Sequence, residues 1–296
     1  EKSSTSIWAK FIDLSFMIGL IGGAATSLSL TTPIISSGIT ILTGLDRGPN
    51  LDLFVICLCI TIFSFSVYVG LERGIKKLAN ANFYLSIIFL GFVLIAGPTT
   101  FILMMGTESI GFMLSNMIEM LTWTDAIDNS GFVQNWTIFY WAWWLAFAPY
   151  VGIFVTRISR GRTIRQIILS MCAYGSLGSW AFYVILGNYA LNLELTGTLP
   201  VMEMVNADIF NAISSIIAHL PFGNLALIVF TLVTIIFVAT TYDSASYALA
   251  SAATNKLQVG ENPAKWHRLF WAAALGIFPI ILMYIGGLKV VQSAVL

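Results

Sequence analysis

The chain has 296 residues, of which 58% are hydrophobic and only 9% are charged, and its mean hydropathy is +0.87. Soluble domains carry about one quarter charged residues, so this composition excludes an ordinary water-soluble fold. The formal net charge of zero argues against a basic nucleic-acid-binding face, and we expect no nucleic-acid partner.

Long apolar stretches predict an all-α membrane protein that crosses the bilayer several times. A helix needs about 20 apolar residues to cross the hydrocarbon core. About seven stretches qualify, at 11–43, 51–71, 82–105, 136–156, 166–192, 223–253 and 268–286. They are continuous rather than alternating, which excludes a β-barrel. Two further segments, near 108–122 and 205–220, mix acidic with apolar residues and predict helices that lie at the membrane surface.

The first span carries a run of small residues, Gly19, Gly22 and Gly23, followed by Ala24 and Ala25. Small side chains allow two helix backbones to approach each other closely. We therefore expect this part of the first span to pack tightly against a neighbouring helix.

The fourth span carries an aromatic stripe. Its members are spaced at i, i+4, i+7, i+8 and i+11, which places them on one helix face: Trp136, Tyr140, Trp143, Trp144 and Phe147. Aromatic faces attract a quaternary ammonium group through the ring quadrupole, by ~0.5–2 kcal/mol per ring. An aromatic belt at the membrane interface or simple core packing would give the same pattern, although a belt does not easily explain the deeper rings.

Pro149 lies in the middle of the same span. Proline removes a helical hydrogen bond, so it predicts a kink or a break. Broken helices at the midplane of transporters expose backbone groups to substrates and ions, whereas a passive kink is the alternative.

Four arginines lie in the nine residues that follow the fourth span: Arg157, Arg160, Arg162 and Arg165. Ordinary positive-inside anchoring explains them, and a gate hinge or an anionic-lipid contact is the functional alternative. Of the fourteen Lys and Arg residues, only Arg47 and Lys289 fall on the opposite side of the predicted topology. The sequence therefore predicts that the N-terminus of this chain is cytoplasmic.

A polar cluster interrupts the sixth span, with Thr240, Thr241, Asp243, Ser244 and Ser246. Hydroxyl and carbonyl oxygens are ligands that suit a small hard cation, although hydroxyls in a membrane helix also serve as contacts between helices. An acid inside a membrane helix indicates a functional site by default, unless Asp243 lies close enough to the helix end to be hydrated.

The stretches WTIFYWAWW, at 136–144, and ISRGRT, at 158–163, resemble the signature of the betaine/choline/carnitine transporter family. Weaker matches follow in the expected order at Ser27–Pro33, Ala79–Ser86 and Asp243–Ser246. The resemblance implies the inverted-repeat fold of the leucine transporter, and it implies a homotrimer in a bacterial-type inner membrane. The chain would supply core helices three to nine as a single transporter domain over residues 1–296, so we expect it to be a piece of a longer protein.

The resemblance also implies a set of site residues. Trp143 and Trp144 would line the central substrate site, and Tyr140 joins them on the aromatic face. Phe147 stands where betaine carriers have tryptophan, which leaves the identity of the substrate open. Pro149, Arg157, Arg160, Arg162 and Asp243 are interpreted as gating or structural residues.

The family resemblance further implies sodium as a coupling ion, with no organic cofactor. Phe237, Thr240 and Thr241 match the positions that bind one sodium ion in sodium-coupled members. Asn82 stands where sodium-independent exchangers carry arginine. Leu20 and Ala24 stand where betaine carriers have the two threonines of a second sodium site, so we expect that second site to be altered or lost.

The function expected from the sequence is sodium-driven symport of a small quaternary-ammonium or sulfonium zwitterion by alternating access. The alternatives are a sodium-independent exchanger and an onium-gated channel or receptor. An enzyme is disfavoured because no His, Cys or paired-carboxylate arrangement lies deep in the predicted spans.

Overall fold

The computed structural model describes residues 7–69, 75–159, 161–254 and 262–293. Over these residues it contains eleven α-helices and two short π-helical turns, without a β-strand. The predicted all-α fold class is therefore confirmed.

The helices follow one another with short connections. In chain order they are α1 (Ile7–Thr43), α2 (Pro49–Val69), α3 (Ile75–Ala96), α4 (Thr99–Ser115), α5 (Met117–Thr122), α6 (Phe139–Ile158), α7 (Ile164–Phe182), α8 (Asn188–Leu195), α9 (Val201–Ala218), α10 (Gly223–Ala252) and α11 (Lys265–Ser293). The π-helical turns are Val133–Ile138, which leads into α6, and Tyr183–Gly187, which joins α7 to α8.

The predicted span at 82–105 is wrong in its boundaries. The helix ends at Ala96, and a new helix begins at Thr99. Pro98 at the junction has φ −75° and ψ 72°, and it has no N–H with which to continue the first helix. The apolar run therefore belongs to two helices, and a hydropathy pattern alone does not locate the turn between them.

The two segments predicted to lie at the membrane surface are helical. The first falls on the end of α4 and on α5, and the second falls on α9. By length and composition, α9 is one of five described segments that could cross a membrane. It is nevertheless irregular, because Asp208 has extended backbone angles (φ −157°, ψ 102°) in its middle.

Asp208 attaches the irregular helix α9 to the connection between α1 and α2. One carboxylate oxygen accepts hydrogen bonds from the backbone N–H groups of Phe210 (3.0 Å) and Asn211 (3.3 Å), as a helix cap does. The other oxygen pairs with the guanidinium of Arg47 at 2.5 Å. That guanidinium also lies 5.6 Å above the Phe210 ring. The second half of α9 thus begins at a residue that also binds the connection between α1 and α2.

Helix α6 continues through Pro149 without a break. Of the kink or break predicted at the proline, the break is therefore not observed, and the helix is irregular earlier, in the π-helical turn that precedes it. A wider π-helical turn changes the facing of the residues that follow it.

Helix α1 is the centre of the packing and contacts α2, α6, α9, α10 and α11. Its side chains Leu20, Ala24, Leu28 and Ile35 are fully buried in the main apolar core. A largely apolar helix without a charged face is expected at the centre of a membrane protein. Because α1 contacts both α6 and α10, it can position the aromatic residues of one and the hydroxyl residues of the other.

Candidate substrate site

A cavity of about 260 Å³ lies among α1, α6 and α10. Its lining comes from three α1 residues, three α6 residues and two α10 residues: Ser27, Leu30, Thr31, Trp143, Trp144, Phe147, Phe237 and Thr241. We call Trp143, Trp144 and Phe147 the aromatic wall, and Phe237 and Thr241 the α10 wall. The cavity is small enough to match a compact solute rather than a drug-sized ligand.

The aromatic wall is part of a continuous series of ring contacts along α6. The ring centroid of Trp143 lies 6.0 Å from that of Tyr140 and 6.1 Å from that of Phe147. Phe147 in turn lies 5.8 Å from Tyr150, and Tyr140 stacks on Trp136 at 6.2 Å. Contacts at these distances stabilise the ring orientations beyond the simple burial of apolar area.

The backbone of α1 supports the aromatic wall from behind. The indole N–H of Trp143 donates a hydrogen bond of 3.3 Å to the carbonyl oxygen of Gly23. The ring of Phe147 occupies the space where Gly23 lacks a side chain, since a Cβ at Gly23 would lie 2.4 Å from Cε2 of that ring. The close packing expected of the small-residue run is therefore confirmed at Gly23.

Trp144 is the most exposed member of the aromatic wall, with 65% of its surface accessible. Its neighbour Trp141 is exposed to a similar extent, at 60%, but does not line the cavity. A separation of three residues turns the two side chains only about 60° from each other around the helix, so Trp141 is a near neighbour of Trp144 that lies outside the cavity lining. Trp141 is therefore a suitable control for Trp144 on the same helix.

The α10 wall, together with the adjacent Thr240, brings three oxygen atoms close to one another. The hydroxyls of Thr240 and Thr241 donate hydrogen bonds of 2.9 Å and 3.0 Å to the carbonyl oxygen of Phe237. Each hydroxyl keeps its lone pairs while donating its proton. A carbonyl and two hydroxyls suit a small hard cation, and they provide no soft ligand for a transition metal.

A buried tyrosine beside the α10 wall joins α10 to α1. Tyr242 is fully buried, and its hydroxyl donates a hydrogen bond to the carbonyl oxygen of Ala24. Its ring centroid lies 5.3 Å from that of Phe63 on α2. The neighbouring carbonyls of Gly23 and Ala24 therefore accept hydrogen bonds from α6 and from α10 respectively.

Charge is present close to the α10 wall but does not reach the cavity lining. Asp243 is fully buried, and its carboxylate oxygen lies 3.7 Å from a guanidinium nitrogen of Arg268 on α11. The same guanidinium lies 5.2 Å above the ring of Tyr247. The acid that the sequence left as either functional or hydrated is thus buried and paired.

Five of the seven predicted substrate and sodium residues converge on the cavity: Trp143, Trp144, Phe147, Phe237 and Thr241. Tyr140 and Thr240 do not line it, although Tyr140 contacts Trp143 and Thr240 contacts Phe237. Tyr140 is partly exposed and stacks on Trp136 rather than facing the cavity.

The residues predicted to have gating or structural roles lie in different parts of the structure. Pro149 is exposed on α6 and does not line the cavity. Arg162 is exposed in the turn before α7. Arg160 and the side chain of Arg157 lie outside the described residues.

The contribution of α1 to the cavity was missed in the sequence. Ser27 and Thr31 are spaced at i and i+4, and Leu30 lies between them, so their pattern indicated one helix face. Their hydroxyls donate to the carbonyls of Gly23 (3.3 Å) and Ser27 (2.8 Å), so both proton donors are engaged within α1. The pairing of Asp243 with Arg268 was also missed, because nothing in the local pattern links the two positions.

The helices and the cavity define a multi-pass α-helical membrane protein with an internal site built from aromatic rings and hydroxyls. A family model described as the betaine/carnitine/choline family of transporters matches residues 1–296, and the chain belongs to that family. It is 33% identical over 282 residues to a protein of Escherichia coli (strain K12) named as an uncharacterized transporter, YeaV. That similarity covers 94% of this chain and 58% of the relative, so the chain spans little more than half of the relative's length.

Proposed function

We propose that the protein containing this chain is a secondary active transporter that imports small quaternary-ammonium or sulfonium zwitterions, such as betaine or carnitine, or the related cation choline. The proposal rests on one observation above all. The aromatic wall and the α10 wall, which are at least 90 residues apart in sequence, face the same small cavity. Membership in the betaine/carnitine/choline family supports the same class of substrate.

The chemistry of the aromatic wall suits an onium head group. A trimethylammonium group offers no hydrogen-bond donor, so neutral hydrogen-bonding side chains cannot select it. Aromatic faces attract its diffuse charge by ~0.5–2 kcal/mol per ring. Two rings of the wall, Trp143 and Phe147, are held by each other and by α1 before a substrate arrives, which lowers the entropic cost of binding.

We propose sodium as the coupling ion, bound by the oxygens of Phe237, Thr240 and Thr241. The two threonine hydroxyls already meet at the Phe237 carbonyl, so little rearrangement is needed to surround a cation. Asn82 supports coupling because it is neutral where exchangers of the family carry arginine. Leu20 and Ala24 are fully buried and offer no side-chain oxygen, which argues for one sodium ion rather than two.

Transport would proceed by alternating access, with sodium and the substrate stabilising one state relative to the other. A ligand shifts such an equilibrium only through its difference in affinity for the two states. The basic residues of the sequence support a cytoplasmic N-terminus for this chain. We further propose, from the family resemblance, a homotrimer surrounded by lipid in a bacterial-type inner membrane.

The test is uptake of labelled glycine betaine, choline and carnitine by the full-length protein in proteoliposomes. An inward sodium gradient is compared with an equal potassium gradient. We expect accumulation above the external concentration only with sodium.

Other outcomes separate the alternatives. Equal uptake in both salts that is accelerated by internal substrate would establish exchange and remove the sodium assignment. Passive equilibration would indicate a channel, and absence of uptake for all three compounds would refute the substrate class.

A further inference from the structure

Gly23 stands directly behind the aromatic wall without lining the cavity. A Cβ placed on Gly23 would lie 2.4 Å from Cε2 and 2.7 Å from Cδ2 of the Phe147 ring. Separations below 3.0 Å essentially never occur for real Cβ atoms, so any side chain at this position must displace the ring. The Phe147 ring therefore rests in a recess that exists only because residue 23 is glycine.

The neighbours of Phe147 limit the direction in which its ring can move. Trp143 meets it edge to face at a centroid distance of 6.1 Å on one side. Tyr150, which is buried, meets it at 5.8 Å on the other side. Movement along α6 is therefore obstructed in both directions, and the cavity is the open side.

Helix α6 as a whole is also held near Gly23. The indole N–H of Trp143 donates to the Gly23 carbonyl at 3.3 Å, so moving α6 away from α1 would cost this hydrogen bond. Turning the Phe147 ring into the cavity does not break that bond. Turning the Phe147 ring into the cavity therefore costs less free energy than moving α6, and a side chain at residue 23 should make the cavity shallower.

We infer that Gly23 is a specificity-determining residue, which sets the depth of the aromatic cavity through Phe147 and thereby the size of the onium head that fits. This inference rests on the proposed function, because it takes the cavity to be the onium site. Gly23 does not touch the substrate in this account. It acts by positioning the ring that does.

Gly19 provides a matched control one turn earlier on the same helix. A Cβ at Gly19 would lie 3.8 Å from the backbone oxygen of Ala146 and 3.9 Å from its Cα and Cβ, which is ordinary van der Waals contact. Both substitutions to alanine add the same atom and have the same effect on helix propensity. Only the substitution at Gly23 meets an aromatic ring.

The test compares Gly23→Ala with Gly19→Ala in the full-length protein. Uptake of whichever labelled onium the wild type transports is competed with choline and with N-ethyl-N,N-dimethylethanolammonium, whose head has one extra methylene. For Gly23→Ala we expect the KM to rise at least about tenfold with the maximal rate largely retained. We expect the larger competitor to lose more affinity than choline. Gly19→Ala should leave both quantities within about twofold of the wild type.

A second variant tests whether the effect passes through Phe147. In Gly23→Ala/Phe147→Leu, the smaller side chain leaves room for the new Cβ, so we expect the KM to fall back towards that of Phe147→Leu alone. The inference is overturned if Gly23→Ala behaves like Gly19→Ala. It is also overturned if the larger head is favoured, or if the double variant shows the simple sum of the two single effects.

The steric contact has a readout that does not depend on transport. Without any substrate, thermal unfolding midpoints in detergent are measured for the wild type, Gly23→Ala, Phe147→Leu and the double variant, which together form a double-mutant cycle. Phe147→Leu should relieve the destabilisation caused by Gly23→Ala. If the wild type takes up no onium compound, the proposed function fails. A non-additive thermal cycle would then still establish the contact, and an additive one would refute it.

Discussion

The aromatic wall on α6 and the α10 wall face one cavity but are fixed in different ways. In the aromatic wall, Trp143 and Phe147 are held by ring contacts along their own helix and by one hydrogen bond from Trp143 to the backbone of α1. The α10 wall sits beside two fully buried polar side chains, Tyr242 and Asp243, which reach α1 and α11. On α6 the same side chains, Trp143 and Phe147, line the cavity and contact α1, whereas on α10 the lining residue Thr241 is followed directly by the two residues that attach the helix.

The difference has a physical origin in the residue types. Aromatic rings stabilise one another by packing, so the α6 wall needs few polar contacts. Hydroxyl and carbonyl oxygens in an apolar interior need partners, and so does a carboxylate. The α10 wall therefore depends on the correct placement of α1 and α11, and it should respond more strongly to changes in polar groups that do not line the cavity.

Asp243→Asn should have the largest effect on stability among the changes that test this comparison. The side chain keeps its shape, but the buried guanidinium of Arg268 loses its counter-charge. Breaking a buried ion pair by neutralising one partner costs about 3–5 kcal/mol. We expect a clearly lower thermal unfolding midpoint for the full-length protein in detergent.

The charge-balanced double variant Asp243→Asn/Arg268→Gln serves as the control for that change. It removes both charges, so it should be more stable than Asp243→Asn alone. Wild-type stability of the single variant would show that the ion pair does not hold α10 to α11.

Trp144→Ala should have the largest effect on substrate recognition, with little effect on folding. The side chain lines the cavity but is 65% exposed, so few packing contacts are lost. Loss of a ring that contributes up to ~2 kcal/mol lowers the affinity about 30-fold. We expect uptake at low substrate concentration to be abolished while expression stays normal.

Trp141→Ala is the matched control, because Trp141 is 60% exposed on the same helix and does not line the cavity. Its uptake should remain close to that of the wild type. Normal transport by Trp144→Ala, or an equal loss of uptake in both variants, would show that the aromatic wall does not bind the substrate.

Thr241→Val should have a smaller and more selective effect. Valine keeps the volume of threonine but removes the oxygen proposed to bind sodium. A hydrogen bond or similar polar contact to a charged group contributes about 1.5–3 kcal/mol, so the half-saturating sodium concentration should rise about tenfold or more. The KM for the onium substrate at saturating sodium should change little.

Thr234→Val controls for the loss of a hydroxyl in the same helix. The Thr234 hydroxyl donates to the carbonyl of Phe230 at 2.9 Å, as Thr241 does to Phe237, but it does not line the cavity. Its sodium dependence should match that of the wild type. Equal effects in the two variants would mean that α10 responds to any lost hydroxyl, and that Thr241 is not an ion ligand.

Much of the fold could be predicted from the sequence because each membrane helix is recognisable from the apolar residues of its own segment. All seven predicted spans fall on helices, although the runs at 82–105 and 166–192 are each divided between two α-helices, and the lengths of α1 and α10 agree with the apolar runs. The prediction failed at Gly97–Pro98, where a backbone turn interrupts an apolar run without interrupting its hydropathy. At Pro149, where the sequence predicted a kink or a break, the helix continues despite the missing N–H, so the break does not occur.

The candidate site was predictable on α6 and α10 but not on α1. Aromatic side chains at helical spacing, and hydroxyls in an apolar run, are conspicuous within a single segment. Ser27 and Thr31 lie among many other small polar residues of α1, so their own segment does not distinguish them. Only the position of α1 relative to the other two helices selects the face that lines the cavity.

By itself, the sequence determined that this protein is helical, lies in a membrane and belongs to the betaine/carnitine/choline family of transporters. Those properties follow from composition, run length and local motifs, which need no knowledge of distant contacts. Only the tertiary structure decided that Ser27 and Thr31 face the cavity, that Gly23 makes room for Phe147, and that Asp243 pairs with Arg268. These outcomes depend on how separate helices rotate and approach one another, and close packing settles them residue by residue.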